Sequence, residues 1–395
     1  MQRIERGDRG RTGAGRRGAA IACSLLLGWL AASGCSNDDS DKSANAPAAS
    51  EAAPASDDAA SSTGEAVKPA ADPKIAALAE RANTMLKPLP TAAPNPANEG
   101  TPAKIDLGRM LYYDTRFSKN QAISCNTCHL LEAFGVDGEP TSPGHAGTRG
   151  DRNSPTVFNA ALHIAQFWDG RAVDVEEQAK GPILNPVEMG MGSDSDVVNI
   201  LRSIPGYASA FAAAFPGEAD PITYDNMARA IGAFERNLMT PGRLDAFMGG
   251  DLEALDEQER RGLETFLNTG CTTCHNGPAL GGQMYRKLGF VFAYETTDPG
   301  REKVTGDPAD RHVFKVPSLR NVAKTGPWLH DGSITELAEM VRLMGYHQLG
   351  VTLEPGQIED LVAFLGALTG EIDPVYIARP TLPESGPETP KPDPS

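Results

Sequence analysis

The sequence predicts an all-α protein whose helices are joined by long ordered loops. Apolar residues recur at helical spacing, helix-start signals precede these runs, and strand-like alternation is confined to 289–293 and 312–316. Two of the runs open with a capping box, Asp256 with Glu259 and Ser333 with Glu336. The expected helices are Asp72–Lys87, Val197–Phe215 with an interruption at Pro205, Tyr224–Leu238, Asp256–Leu267, Ser333–Met344 and Gln357–Leu368.

Residues 1–35 are typical of a bacterial lipoprotein signal peptide. Six arginines precede the apolar run Ile21–Ala32, which is too short to span a bilayer. Ala-Ser-Gly then precedes Cys35, which predicts cleavage and acylation there, although Ala32 stands where Leu is usual. The chain is therefore expected on the periplasmic side of a bacterial membrane, touching it only through a lipid anchor at Cys35. The alternative is a plain secretory signal and a soluble periplasmic protein.

Two further segments are predicted to be disordered. Residues 36–72 form an acidic tether of Ala, Ser, Asp and Pro, and residues 381–395 form a Pro-rich tail. The formal net charge is −16, and removal of residues 1–35 leaves 30 basic and 50 acidic residues. This balance argues against binding to nucleic acid and suits a basic partner protein.

Four of the six cysteines form an internal repeat, Cys-Asn-Thr-Cys-His at 125–129 and Cys-Thr-Thr-Cys-His at 271–275. Such a motif attaches c-type haem, because its thiols add to the two vinyl groups and its histidine becomes an axial iron ligand. A thioredoxin-type dithiol would not explain the histidines, and a zinc site would need both pairs to converge. Two covalent haem c groups are predicted, one at Cys125, Cys128 and His129 and one at Cys271, Cys274 and His275.

The repeat predicts two cytochrome c-like domains, each folded around one covalent haem. The first is expected at 73–238, with a returning C-terminal segment at about 367–380, and the second at 239–366. The loops at 130–160 and 276–320 are longer than compact domains usually hold without secondary structure. Their length indicates that a non-protein group orders them.

Further motifs resemble those of the bacterial dihaem cytochrome c peroxidases, which are related to the dihaem enzyme that matures methylamine dehydrogenase. The resemblance covers most of the chain and rests on Ser124–His129, Pro140–His145, Asn153–Asn159, Gln166–Arg171, Asn185–Met189, Phe314–Asn321, His330–Gly332, and Met344 with Gln348–Gly350. In that family the first haem reacts with peroxide and the second accepts electrons. Residues 73–238 would thus form the peroxidatic domain and 239–366 the electron-transfer domain.

The resemblance also implies roles for residues around the first haem. His145 would cap the first iron in the resting enzyme and leave on activation, unless it is an ordinary loop histidine. Glu188 would be the acid-base group, because cleavage of the O–O bond requires a proton to move between the oxygens, and Gln178 would donate a hydrogen bond in the pocket. Trp168 would lie between the haems, although it could equally be a core aromatic.

At the second haem, Met344 would be the distal ligand, and its soft thioether would raise the reduction potential. Met340, one turn earlier, is the local competitor. The maturation enzyme has a tyrosine at this place, and Tyr346 is close by. His330 and Arg320 are expected near the haem propionates or between the haems, and His163 is expected to be a packed core residue.

A calcium ion is also implied, held by Asn153 and the main-chain carbonyls of Thr325 and Pro327. The predicted function is a cytochrome-c peroxidase that reduces hydrogen peroxide with electrons from a small cytochrome c or a cupredoxin. The alternatives are a dihaem oxidase of a protein or organic substrate and a pure electron-transfer cytochrome. The resemblance also suggests a homodimer.

Overall fold

The computed structural model describes residues 72–394, and these are mostly helical with few strands, as predicted. The predictions on residues 1–71, including the signal peptide, the acylated Cys35 and nearly all of the tether, lie outside the described residues. Within 72–394, none of the helices combines the length and apolar character that a bilayer span requires. The helices are α1 Pro73–Met85, α2 Pro102–Tyr113, α3 Cys125–Cys128, α4 Val175–Leu184, α5 Asp194–Ser203, α6 Pro205–Ala214, α7 Tyr224–Glu235, α8 Arg243–Met248, α9 Glu257–Asn268, α10 Glu302–Thr305, α11 Leu337–Met344 and α12 Pro355–Ala367.

Local capping explains where several helices begin. The Asp72 carboxylate accepts from the Lys74 amide at 2.8 Å, and the predicted capping box of Asp256 and Glu259 is formed at the start of α9. The box predicted at Ser333 is wrong, because α11 begins at Leu337. There the Trp328 amide donates to the Ile334 carbonyl at 2.7 Å, and this pairing keeps the chain extended before the helix.

The strands are few and short. Strand β1 (Tyr285–Lys287) pairs antiparallel with β2 (Val313–Lys315), and Arg286 lies opposite Phe314. The second predicted strand thus lies within the expected stretch, whereas the first lies before 289–293. The two strands join the ends of the long loop that follows His275, so that its return segment lies against its start.

Buried apolar side chains form two large clusters. The first half of the molecule packs α2, α4, α5, α6 and α7 around one cluster, which also includes Ile377 from the returning segment. The second half packs α1, α8, α9 and α12 around the other cluster. Helix α1 therefore packs in the second half, although it belongs to the stretch expected for the first domain.

Each half contains one helix pair that crosses with the backbones in contact. A Cβ atom on Gly108 of α2 would lie 1.9 Å from the Ala230 carbonyl oxygen of α7. A Cβ atom on Gly262 of α9 would lie 1.9 Å from the Asp360 carbonyl oxygen of α12. Without a shift of the backbone only glycine allows these approaches, so each half has a close helix crossing that depends on one glycine.

A single buried hydroxyl joins equivalent loops of the two halves. Asn159 and Asn321 both adopt left-handed backbone conformations, with φ of 61° and 63°, and both are fully buried. Their side-chain amides donate to the Thr240 hydroxyl at 2.8 and 2.9 Å. Thr240 lies in the connection between α7 and α8, so this connection holds the loops that follow both haem motifs.

The Pro-rich segment 381–394, for which disorder is predicted, makes side-chain contacts with the rest of the molecule. It lies against the first half, where Arg116 donates to the Pro383 carbonyl at 2.9 Å and Gln121 donates to the Pro390 carbonyl at 2.8 Å. Thr389 donates from its hydroxyl to the Ser203 carbonyl at 3.2 Å. Extended proline-rich chains have carbonyls without internal partners, and side chains of the first half satisfy two of them here.

Candidate functional site: two cavities built on the Cys-x-x-Cys-His motifs

The first motif lines a cavity in the first half of the molecule. Cys125, Cys128 and His129 all face this cavity, which is also bounded by residues from the loop at 142–157 and from α4. Ring atom Nδ1 of His129 lies 3.3 Å from the Gly135 carbonyl oxygen. A carbonyl only accepts, so Nδ1 carries the proton and Nε2 keeps the lone pair that an iron ligand needs.

The second motif lines a separate cavity in the second half. Cys271, Cys274 and His275 face it, and Nδ1 of His275 lies 3.1 Å from the Leu280 carbonyl oxygen. Burial lowers the pKa of both motif histidines, that of His275 to about 4. Both rings are therefore neutral at physiological pH, which is the state required for binding a metal.

The chemistry of these donors fits covalent haem better than the rival sites. Burial raises the pKa of Cys125 to about 12 and that of Cys128 to about 11, and it also raises the pKa of Cys271 and Cys274. A redox dithiol needs a lowered thiol pKa instead. The two cysteine pairs line different cavities and so do not form a four-thiolate zinc site.

Two predicted catalytic side chains, Glu188 and Gln178, line the first cavity. Gln178 projects from α4, and Glu188 lies in the turn that follows this helix. The Asn185 amide donates to the Glu188 carboxylate at 2.8 Å. Burial raises the pKa of Glu188, while the bond from Asn185 and the charge of Arg171 act in the opposite direction. A buried carboxyl whose pKa lies above that of a free carboxyl can both accept and return a proton.

His145 is not among the residues that line the first cavity, although its neighbour Gly144 is. Its ring packs on Gly190, where an added Cβ would lie 2.4 Å from Nε2. Its amide donates to the Glu188 carbonyl at 2.7 Å, and its carbonyl accepts from Asn120 at 2.6 Å. The backbone thus fixes this residue beside Glu188, while the ring points elsewhere.

Trp168 lines both cavities and lies where they adjoin. Its indole N–H donates to the Asn153 carbonyl at 2.9 Å, and its own carbonyl accepts from the Lys315 amide at 2.8 Å. Arg152, next to Asn153, forms ion pairs with Asp169 at 2.5 Å and Asp298 at 2.7 Å. Residues from both halves of the molecule therefore fix the position of the Trp168 indole.

The three residues predicted to bind calcium lie together on the second cavity. Asn153, Thr325 and Pro327 all line it. The Asn153 amide donates to the Glu139 carbonyl at 3.0 Å, which directs the side-chain nitrogen away from any cation. Among residues 72–394 no three His, Cys, Asp or Glu side chains converge into a metal site, so the ligands here would be amide and carbonyl oxygens.

Both candidate methionines line the second cavity, because Met340 and Met344 lie one turn apart on α11. A π-helical turn, Gly345–Leu349, follows directly. Tyr346 lies in this turn but is 43% exposed, and its ring stacks on Phe292 at 4.7 Å, outside the cavity. The tyrosine is therefore not placed where a distal ligand would lie.

The structure separates the two residues that were expected near the propionates. His330 lines the second cavity and is buried, with Nε2 3.1 Å from the Thr296 hydroxyl. Arg320 instead forms a bidentate ion pair with Asp245, at 2.6 and 2.9 Å, and does not line either cavity. Arg320 thus has its carboxylate partner outside both cavity linings, and its contact with a propionate stays a prediction.

Other cavity residues escaped prediction. Glu235, at the end of α7, is 4% exposed and lines the first cavity, and burial beside Glu176 raises its pKa to about 8. Lys315 and His163 line the second cavity, where Lys315 is buried. No local pattern marks them, because only the tertiary fold brings these residues to a haem motif.

Comparison with known proteins identifies the family. A family model described as di-haem cytochrome c peroxidase matches residues 102–253. The chain is 44% identical to a cytochrome c551 peroxidase of Pseudomonas aeruginosa, over 80% of this chain and 92% of that protein, and 42% identical to the one of Nitrosomonas europaea, over 79% and 92%. It also resembles the crystal structure of a MauG-like protein associated with microbial copper homeostasis, with a TM-score of 0.67 and 30% identity over 74% of this chain and 97% of that one. The chain therefore belongs to the di-haem cytochrome c peroxidase family.

Proposed function

We propose that this chain is a periplasmic cytochrome-c peroxidase with two covalent haem c groups. It reduces hydrogen peroxide to water with electrons from a small cytochrome c or a cupredoxin. One observation carries this proposal: two motif-bearing cavities share Trp168, but only the first is lined by Glu188 and Gln178. A site for proton-coupled chemistry thus adjoins a site that has no carboxylate in its lining.

The first cavity supplies the proton chemistry. Bound haem would supply an iron that accepts peroxide and delivers electrons to it. Glu188 takes the proton from the inner peroxide oxygen and returns it to the outer oxygen, which leaves as water. Gln178 orients the peroxide by a hydrogen bond. Two electrons and two protons from outside complete the conversion of one hydrogen peroxide into two waters.

His145 is proposed as a removable ligand of the first iron. Its ring packs on Gly190, while its backbone is bonded to Glu188 and Asn120. A rotation of the side chain, together with a shift of its loop, would be needed to bring Nε2 into the cavity. Glycines at 144 and 147 flank it, and Gly147 has a left-handed φ of 75°.

Electrons are proposed to enter through the second half, where Met344 would ligate the second iron. An exposed apolar patch adjoins this cavity, formed by Phe290, Val291, Phe292 and Tyr346, each 43–51% exposed. The Phe290 amide donates to Gln348, which lines the second cavity, so the patch and the cavity share the π-helical turn. An apolar surface beside a buried redox site suits brief docking of a small electron carrier.

The patch can be tested separately from the chemistry. Phe292→Ser should raise the KM for a reduced cytochrome or cupredoxin about tenfold, because the docked carrier loses apolar contact area. It should leave turnover with a small chemical reductant unchanged. Val375→Ser, which alters an apolar side chain 77% exposed and outside the patch, is the control. Equal KM values for both variants would refute electron entry at this patch.

The remaining proposals concern location and assembly. The signal-like residues 1–35 support export to the periplasm, with lipid attachment at Cys35, and calcium at Asn153, Thr325 and Pro327 would brace the region around Trp168. A homodimer is proposed from family membership alone. Mass spectrometry of the exported protein would identify the acylated N-terminus, and metal analysis after chelation would identify calcium.

The central experiment follows peroxide reduction by the half-reduced holoprotein. Two equivalents of reduced donor should be oxidised per hydrogen peroxide, and the first haem should become five-coordinate in the half-reduced state. If both irons stay six-coordinate at every potential and peroxide is not consumed, the chain is an electron-transfer cytochrome. Donor-independent oxidation of a protein substrate would instead identify a dihaem oxidase.

A further inference from the structure

Lys315 is a buried cation beside the second cavity without a carboxylate partner. It lies on β2 and is 6% exposed, and its ammonium nitrogen lies 3.1 Å from Nδ1 of His163. No ion pair among residues 72–394 includes it. The buried guanidinium of Arg320, by contrast, pairs with Asp245, and the buried ammonium of Lys104 donates to two oxygen acceptors, the Asn98 side chain and the Glu99 carbonyl. Burying a charge without a partner costs on the order of several kcal/mol, so buried charges usually have partners that neutralise them.

The direction of the hydrogen bond fixes which protons remain free. A lysine ammonium only donates, so Nδ1 of His163 must accept and Nε2 must carry the ring proton. That Nε2 atom is buried and has no hydrogen-bond partner among the described residues. The ammonium has further N–H groups of its own. Lys315 and His163 both line the second cavity, and both therefore have N–H groups without an acceptor among the described residues.

Backbone hydrogen bonds next to both residues, and packing on Gly282, fix the position of this pair. The Lys315 amide donates to the Trp168 carbonyl at 2.8 Å, and the Ile164 amide, next to His163, donates to the Gly282 carbonyl at 2.9 Å. The His163 ring packs on Gly282, where an added Cβ would lie 2.1 Å from Cδ2. The donors are thus fixed between Trp168 and the loop that follows His275.

We propose that Lys315 and His163 form a binding site for a carboxylate, and that this carboxylate is a propionate of the haem attached at Cys271 and Cys274. The inference rests on the proposed haem attachment. The cavity lining contains no Asp or Glu that could serve instead, and propionates are the anionic groups of haem. A fixed positive charge at this place favours the reduced haem, so the pair acts with Met344 to make the second haem the electron acceptor.

The test compares two lysines on paired strands. Lys315→Gln removes the buried charge, whereas Lys287→Gln removes an exposed charge from β1 and serves as the matched control. Haem content is first measured by the pyridine haemochrome method. Fewer than two c-type haems in the wild-type protein would refute the proposed attachment, not the role of Lys315.

With both haems present, the midpoint potential of the haem that is reduced first is measured for each variant. Lys315→Gln should lower its reduction equilibrium constant about tenfold, which is a 59 mV decrease for one electron, and Lys315→Arg should restore most of it. Lys287→Gln should leave the potential unchanged, because solvent screens its charge. Equal potentials for Lys315→Gln and Lys287→Gln would overturn the proposal.

A measurement on the wild-type protein covers the case in which Lys315→Gln does not fold. Haem labelled with ¹³C in its propionates allows their carboxylate bands to be identified in redox infrared difference spectra. A propionate held by two donors should show bands shifted from those of a solvated carboxylate. Bands at the solvated position for every propionate of the second haem would overturn the proposal as well.

Discussion

The first and second cavities both lie beside a Cys-x-x-Cys-His motif, but different side chains line them. Each lies beside a Cys-x-x-Cys-His motif whose histidine points Nδ1 at a carbonyl, and each half has one glycine-mediated helix crossing. The first cavity is lined by Glu188, Gln178 and Glu235, whereas the second has two methionines and the buried Lys315. A few side chains in the wall therefore distinguish a cavity lined by carboxyl groups from one lined by thioethers and a buried ammonium.

The largest expected effect comes from removing the carboxylate that distinguishes the first cavity. Glu188→Gln should lower kcat/KM for peroxide about 10²–10⁴-fold, because the proton is no longer carried between the oxygens. Burial raises the pKa of Glu188, so wild-type activity should fall as pH decreases through a value above that of a free carboxyl, and the variant should lack this limb. Glu177→Gln, an exposed neighbour of Gln178 on α4, is the control. Retained activity in Glu188→Gln would place the acid-base group elsewhere.

The two methionines allow a test of which side chain ligates the haem of the second cavity. Met344→Ala should lower the reduction equilibrium constant of the second haem on the order of a hundredfold, because axial ligands strongly set haem potentials. Met340→Ala removes an equal side chain from the same helix face and should change the potential little. Spectroelectrochemical titration distinguishes them. The reverse result would assign the distal position to Met340.

Glu235 offers a test in terms of stability. Its pKa is raised from 4.5 to about 8, so the folded state binds a proton that the unfolded state releases. The free energy of unfolding should therefore fall as pH rises from about 4.5 to about 8, by about 3–5 kcal/mol. Glu235→Gln should remove this dependence, whereas the exposed Glu253→Gln should retain it. Urea denaturation of the holoprotein at several pH values measures this free energy. If the wild type and Glu235→Gln show the same pH dependence, Glu235 is ionised in the folded protein.

The connection shared by the two halves offers a second test of stability. Thr240→Val keeps the shape of the side chain but deprives the amides of Asn159 and Asn321 of their common acceptor. Two buried donors without a partner should lower the free energy of unfolding by ~2–4 kcal/mol. Thr297→Val, at an exposed position, should cost less than ~0.5 kcal/mol. A lower free energy of unfolding for Thr240→Val than for the control variant, with unchanged haem spectra in both, would confirm a purely structural role for Thr240.

Prediction succeeded where the signal was local. The mostly helical character follows from periodicity and from caps such as Asp72 and Asp256, and the placement of Cys125–His129 at one cavity follows from five consecutive residues. The capping box at Ser333 failed because Ile334 pairs with Trp328, and this backbone pairing keeps the chain extended where the helix was expected to begin.

What could not be predicted depends on contacts between distant residues. Lys315 and His163 are 152 positions apart, and Arg320 and Asp245 are 75 apart. Neither pairing has a sequence spacing that would indicate it. Helices α2 and α4 were absent from the prediction although Thr101 and Asp174 cap them, because their apolar periodicity is weak. The resemblance to a family supplied Glu188 and Gln178, but it did not supply Glu235.

The glycine crossing in the first half links the spacing of two helices to His129, the proposed ligand of the first iron. Helix α2 rests on α7 at Gly108 and carries Tyr112 one turn later, whose hydroxyl donates to the His129 carbonyl at 2.7 Å. A methyl group at Gly108 would force the two helices apart, and the tyrosine would pull the histidine backbone with it. The alignment of His129, the proposed proximal ligand, thus depends on the gap between α2 and α7, which is too narrow for a single additional carbon atom.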